Sequence, residues 1–152
     1  MAEEVSRLSY AHLILNRIRD SVDGIRLRSE GLFSCRDPKK LGLVGEGLAC
    51  RELERRGYRI LDRRARSRHG EIDIVARDGD SLVFVEVKTR RNHRFGLART
   101  AVSWRKQKKL THLAQSYAAR RSWGHMPIRF DIVGVDVDSR GKPSLDVLRD
   151  AF

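Results

Sequence analysis

The chain has 152 residues, 40% of them hydrophobic and 34% charged, which is enough apolar material for one domain with its own core and excludes a fragment needing external staples. Thirty-two Lys and Arg against 20 Asp and Glu give a net charge of +12, a field that collects polyanions such as nucleic acid. Two cysteines without CxxC spacing, Cys35 and Cys50, argue against a zinc ribbon or a disulfide framework.

No apolar run approaches the roughly 18 residues of a membrane helix. The opening Met-Ala-Glu-Glu is acidic where an export signal is basic, so the expected setting is a reducing cytoplasm with no membrane partner. Residues 1–38 read as an N-terminal extension: Ala11, Ile14, Leu15, Ile18, Val22 and Ile25 recur at helical spacing, predicting an amphipathic helix over Ser6–Asp23, and "SEGLFSCRDPKK" reads as a linker. Residues 39–152 form the compact domain. Leu41, Val44, Leu48, Ala49 and Leu53 make a helical stripe that Gly57 closes. "YRILDRR" is a first strand, and "EIDIVA" and "SLVFVEVK" follow as two more, divided by the hairpin signal Asp78-Gly79-Asp80. The basic loop "TRRNHRFG" leads to a second helix from Ser103 to Arg121, with Leu110, Leu113, Ala114 and Tyr117 as its core stripe. "IRFDIVGVDV" is a further strand, and Ser144–Leu148 a short last one. Strands grouped first, then a helix crossing to another strand, predict an α/β fold with a mixed sheet and helices on its faces.

One constellation carries chemistry. Strand alternation puts Leu82, Phe84, Glu86 and Lys88 on one face and Val83, Val85 and Val87 on the other. On the preceding strand Glu71, Asp73 and Val75 share a face. A two-residue turn at Asp78-Gly79 sets Asp73 opposite Phe84 and Glu71 opposite Glu86; a turn at Gly79-Asp80 sets Asp73 opposite Glu86. Either register yields one acidic face, whereas a one-residue slip would divide it. Two carboxylates about 4 Å apart repel by roughly 1–4 kcal/mol, a cost that a hard cation such as Mg²⁺ or Mn²⁺ relieves. A metal held by Asp73 and Glu86 would polarise a phosphodiester, with Lys88 placed to orient water or stabilise the developing charge. The alternative is a strand end in which Lys88 merely neutralises one acid. Glu46, at the margin of the first helix's stripe, is either a further ligand or a surface acid favoured by the helix dipole.

"GEGLACRELERRGYRIL", "GEIDIVARDGDSLVFVEVKTR" and "AVSWRKQKKL" together resemble the YraN-type family of uncharacterised bacterial proteins. That family is similar to the PD-(D/E)xK, restriction-endonuclease-like superfamily, which includes Holliday-junction resolvases and the tRNA-splicing endonuclease-like fold. The likeness runs from about Leu41 to Asp136. It implies a three-layer α/β/α sandwich, with Asp73 and Glu86 as metal-binding acids and Lys88 as the catalytic lysine. It further implies Glu46 as the helix-borne acid of the resolvase-like branch, and Gln107 near the site. The activity implied is Mg²⁺-dependent cleavage of structured or branched DNA, with a non-catalytic nucleic-acid-binding protein as the alternative and a homodimer as the expected assembly of resolvase-like relatives. Ile72 stands where the superfamily's nominal motif has proline, and residues 1–38 fall outside the likeness.

Bases surround the acids. Arg63, Arg64, Arg66 and Arg68 precede them, Arg90, Arg91, His93 and Arg94 follow, and Arg105, Lys106, Lys108 and Lys109 open the second helix. Arg66, Arg68, Arg90, Arg91, Lys106 and Lys108 are the expected phosphate contacts, which position a nucleic acid without reading its sequence. Glu71 and Gln107 are accessory candidates. Trp104 and Phe95 are expected to pack in the core, with stacking on a base as the alternative; His69 and His93 are expected as surface loop histidines, with metal ligation beside the acids as the alternative.

Overall fold

The computed structural model describes residues 37–91, 102–139 and 141–152. The helix expected over Ser6–Asp23, Cys35, His93, Arg94 and Phe95 lie outside the described residues. Within them the elements run α1 (Pro38–Arg55), β1 (Arg59–Ser67), β2 (Gly70–Asp78), β3 (Ser81–Arg91), α2 (Trp104–Ala119), β4 (Ile128–Val137) and β5 (Pro143–Leu148). Helix α1 starts three residues before the apolar stripe and takes in Pro38–Lys40, the end of the expected linker. Asp37 explains that start: its side chain accepts from the Lys39 N–H at 2.9 Å, and proline suits the first turn. At the other end Gly57 takes φ +91°, as the stop signal required.

The five strands form one sheet in chain order, β1-β2-β3-β4-β5. Every pair is antiparallel except β3 with β4, which α2 joins as a crossover, so the sheet is mixed as expected. Alternation on β3 divides the core. Val83 and Val85 pack with Ala49, Cys50 and Leu53 of α1, whereas Leu82 and Phe84 pack with Leu110, Leu113, Ala114 and Tyr117 of α2. One helix therefore covers each face. Helix α1 lies so close to β3 that a Cβ at Gly45 would sit 1.8 Å from Thr89 Oγ1, which fixes the neighbouring Glu46 against the strand. The β2–β3 turn is Gly79-Asp80, with Asp78 paired to Ser81, Ile74 paired to Val85 and Gly79 at φ +58°. This is the second of the two registers expected, and it sets where the acids meet.

Candidate functional site

The β2–β3 ladder stops at Ile74–Val85. Continued, the register would set Asp73 opposite Glu86 and Val87 opposite Ile72. Instead the Val87 N–H donates to Asp73 Oδ2 at 2.8 Å, so a side-chain oxygen stands where a backbone carbonyl would serve. The strands fork, and the Asp73 carboxylate sits in the fork. A neighbouring distortion accompanies it: Arg64, across from Asp73 on β1, takes φ +51°, uncommon for a residue with a side chain.

That distortion corrects one expectation. Ile72 packs into the core on the α2 side and Ile74 into the core on the α1 side, so strict alternation is interrupted at Asp73. Glu71 does not share a face with Val75 or meet Glu86. It is neutralised by Arg64 Nε at 2.9 Å and Arg66 Nε at 2.6 Å. Burial works against the Glu71 charge, but these two guanidinium groups hold its carboxyl below the usual range.

On the α2 side Glu86 is 6% exposed. Lys88 Nζ, two residues along the same face, donates to Glu86 Oε1 at 2.6 Å. Lys106 Nζ, from the first turn of α2, donates to the same oxygen. Lys106 was expected as a phosphate contact on a stripe that continues Leu110 towards the helix start and could reach this edge; it does reach it, and belongs to the acidic centre. The signal was in the sequence: Lys106, Leu110 and Leu113 stand at i, i+4 and i+7, one helical face. Burial opposes the Lys88 ammonium, yet the bond to Glu86 leaves its pKa raised.

Asp73 couples the two sides. Burial first, and then the Glu86 charge, push its carboxyl up to about 6, against the lowering effects of the Val87 N–H and of Lys106 and Lys88. Glu46, on α1, is also raised by burial and then by Asp73. Its Oε2 is buried without a hydrogen-bond partner, the nearest cation being Arg64 Nε at 3.9 Å. Of the three acids named from the sequence, Asp73 is therefore coupled to Glu86 on the α2 side and to Glu46 on the α1 side, with Lys88 and Lys106 against Glu86.

The remaining sequence candidates divide. Arg90 and Arg91 are exposed at the end of β3 beyond Lys88. Arg66 is tied to Glu71, and Arg68 Nε donates to His69 Nε2 at 2.8 Å. His69 lies in an exposed turn, 5.4 Å ring to ring from His112. Gln107 donates to the Val102 carbonyl at 3.0 Å, closing its own helix start instead of reaching the acids. Trp104 is not core: it is 67% exposed, with Lys108 Nζ 3.5 Å above its ring.

Sequence reasoning missed a second polar cluster, at the hairpin end of the sheet. Asp131, 1% exposed, accepts from Tyr58 Oη, from two nitrogens of Arg129 and from the Asp150 N–H, all at 2.9–3.0 Å. Arg129 and Arg149 in turn bond Asp78 at 2.8 and 2.7 Å. As part of the strand "IRFDIVGVDV", Asp131 had no role assigned from the sequence.

Among the described residues no three His, Cys, Asp or Glu side chains make a protein-only metal cage. The donor set at the fork nevertheless fits a magnesium-type ion, which takes one or two carboxylates and completes its shell with water and phosphate. The Asp73 carboxyl, pushed up by burial and by the Glu86 charge, and the unpartnered buried oxygen of Glu46 are acceptors short of positive partners, which a divalent cation would satisfy.

Fold and site together define an α/β protein with a forked mixed sheet and a carboxylate–lysine centre at the fork. By sequence the chain belongs to the uncharacterised protein family UPF0102, whose family model matches residues 45–135. It is 44% identical to the UPF0102 protein of Geobacter sulfurreducens, over 75% of this chain and 89% of that one. It is 43% identical to that of Rhodococcus opacus, over 74% and 95% of the two chains. Identity to the Geotalea daltonii relative is 40%, over 83% and 97%. Among solved structures, SfsA of Pyrococcus furiosus in complex with Ca²⁺ aligns at 15% identity over 73% of this chain and 61% of that one; its TM-score of 0.28 is too low to carry an argument. Among the described residues no helix is long and apolar enough to cross a membrane.

Proposed function

We propose that this protein is a divalent-metal-dependent nuclease that hydrolyses phosphodiester bonds in structured or branched DNA. The observation that supports it best is the fork, where Asp73 abandons the regular ladder to sit with Glu86 beside two ammonium groups. A purely structural salt bridge needs no such distortion. Asp73 and Glu86 would hold Mg²⁺ or Mn²⁺, with Glu46 facing it from α1. When bound, such an ion polarises the phosphodiester and offsets the charge that develops on it.

The chain's own groups supply the rest. Lys88 stands at the mouth of the fork, 27% exposed, where its ammonium can donate to a phosphate oxygen or fix the attacking water. Lys106 shares Glu86 with Lys88 and is 38% exposed. On arrival of a phosphate it is the group freest to turn outward, since it comes from a different element. Arg90, Arg91 and Lys108 hold flanking phosphates, which sets DNA in place without reading bases.

A second reading also has an observation behind it. Two ammonium groups on one Glu86 oxygen already neutralise that acid, as they would in a non-catalytic nucleic-acid-binding protein. A gel assay separates the two, using branched, single-stranded and duplex DNA with Mg²⁺, Mn²⁺ or EDTA. The nuclease reading expects metal-dependent cleavage, strongest on branched DNA and lost in Asp73→Asn and Glu86→Gln. Retarded but uncut DNA in every metal would support the binding-only reading.

A further inference from the structure

At the far end of α2 from the acids, a cavity of about 480 Å³ opens between the β2–β3 turn and the segment after the helix. Its walls include Arg77, Arg121, Trp123, His125, Met126 and Pro127, and neither the fork nor the proposed chemistry uses any of them. The volume suits a small ligand. One side is flat and apolar: Trp123 packs on Tyr117 at 6.4 Å between ring centres, and the Trp123 and Met126 N–H groups are bonded into the turn. The other side is cationic. Arg121 lies 3.7 Å over the Tyr117 ring and gives one hydrogen bond, 3.1 Å long, to Asp62, which fixes the guanidinium plane while leaving further donors. The backbone at Ser122 takes φ +58°, a conformation costly for a residue with a side chain and kept here at the cavity wall. Asp80 reaches the rim, its side chain 99% exposed and 3.5 Å from Arg77.

A second feature leads to this cavity. Helix α2 contains no acid, and Arg105, Lys108, Lys109, His112 and Arg120 fall along one stripe at its exposed side. Cations crowd its first turns, against the helix dipole, which would favour acids there. Local stability does not explain that arrangement; an anionic partner laid along the helix does. From Arg105 to Arg120 the stripe spans roughly 20 Å at 1.5 Å per residue, about six phosphate steps of one DNA strand.

We propose that the cavity is a nucleotide-binding pocket that takes one unpaired base and its phosphate from a strand whose backbone runs along α2. The base lies against Trp123 and Met126, and Arg77, Arg121 and His125 face the phosphate. This rests on the nuclease reading for its substrate and adds to it the feature recognised: a branch with a single-stranded arm, engaged about one helix length from the cut.

The two tryptophans of the chain, Trp104 and Trp123, lie at opposite ends of this track, so single-tryptophan proteins report each end separately. The full-length Trp104→Phe protein, in EDTA so that nothing is cleaved, is titrated with a splayed duplex bearing a fluorescein-labelled arm, with the matching blunt duplex, and with thymidine monophosphate. Anisotropy follows total binding and Trp123 emission follows the pocket. The pocket assignment expects saturable quenching of Trp123 by the splayed DNA, little by blunt duplex, and quenching by the mononucleotide only at far higher concentration. In Arg77→Glu/His125→Glu, both exposed positions, affinity for splayed DNA falls about tenfold, as the pocket's phosphate now meets carboxylates, and the preference over blunt duplex disappears. Anisotropy that rises without Trp123 quenching overturns the pocket and leaves the nuclease reading standing. Quenching by free mononucleotide as tight as by DNA overturns the strand as its source. No binding of any DNA overturns both.

Discussion

Asp131 and Asp73 are both aspartates withdrawn from water on strands of the same sheet, and they are treated in opposite ways. Asp131 receives four hydrogen bonds, two of them from one arginine, which fills the acceptor capacity of a carboxylate. Tyr58, Arg149 and Asp78 extend that cluster until its charges are matched. Asp73 has one backbone N–H, a second acid nearby and a pKa pushed up to about 6. Its neighbour Glu46 keeps a buried oxygen without a partner. A charge cluster that serves only the fold is closed by its own residues. The cluster at the fork is not closed in this way: two ammonium groups meet Glu86, but burial and the Glu86 charge still work against Asp73, and Glu46 lacks a partner. Perturbed acids in such a position mark functional sites more often than chance.

The contrast can be broken at several points. The largest effect is expected on cleavage: Asp73→Asn or Glu86→Gln should lower the rate on branched DNA on the order of a thousandfold while the circular dichroism spectrum is retained. If either variant cuts normally, the fork is not the catalytic centre. Next comes the closed cluster. Asp131→Ala strips Arg129 of two carboxylate bonds, leaving it Asp78, and leaves the Tyr58 hydroxyl without its acceptor; it should cost about 2–3 kcal/mol in urea unfolding, against a small loss for the exposed pair partner Arg66→Ala.

The third test uses pH. Asp73 binds its proton more readily in the native state, at about 6, than in the unfolded chain near 3.8. Its ionisation therefore destabilises the metal-free fold above pH 6, and the penalty is relieved as pH falls towards 4. Asp73→Asn removes that penalty, so it should be more stable than the parent by about 2–3 kcal/mol at pH 7.5, with the difference vanishing near pH 4. Equal stability at both pH values would mean that Asp73 is not strained. The smallest effect is on binding: Lys106→Met should flatten the dependence of log affinity on log salt by about one unit if that ammonium turns to a phosphate. An unchanged slope would keep it on Glu86.

Much of this was legible because strands repeat every two residues. Glu86 and Lys88 fall on the Phe84 face by counting alone, and either two-residue turn at Asp78-Gly79-Asp80 put Asp73 on that same face, which only a one-residue slip would have undone. Gly57 and the stripe from Leu41 to Leu53 fixed the end and the buried side of α1 for the same kind of reason. What was not legible depends on departures from that period. Nothing in "RRARS" signals that Arg64 adopts positive φ, so the switch of face at Asp73, and with it the diversion of Glu71 to Arg64 and Arg66, could not be counted out. The Asp131 cluster joins β4 to Tyr58, Asp78 and the residues after β5, contacts of long sequence separation without a local pattern. Trp104 was read as core because tryptophan usually is; its place at a helix start beyond the last core residue, Val102, leaves it outside.

The most direct measurement is a calorimetric titration of Mn²⁺ into the full chain near pH 6, repeated in buffers of different ionisation enthalpy. The account expects one ion per chain, taken up with release of a fraction of a proton from Asp73, and no measurable binding by Asp73→Asn or Glu86→Gln. Undiminished binding in those variants, or no binding by the parent chain, would contradict it.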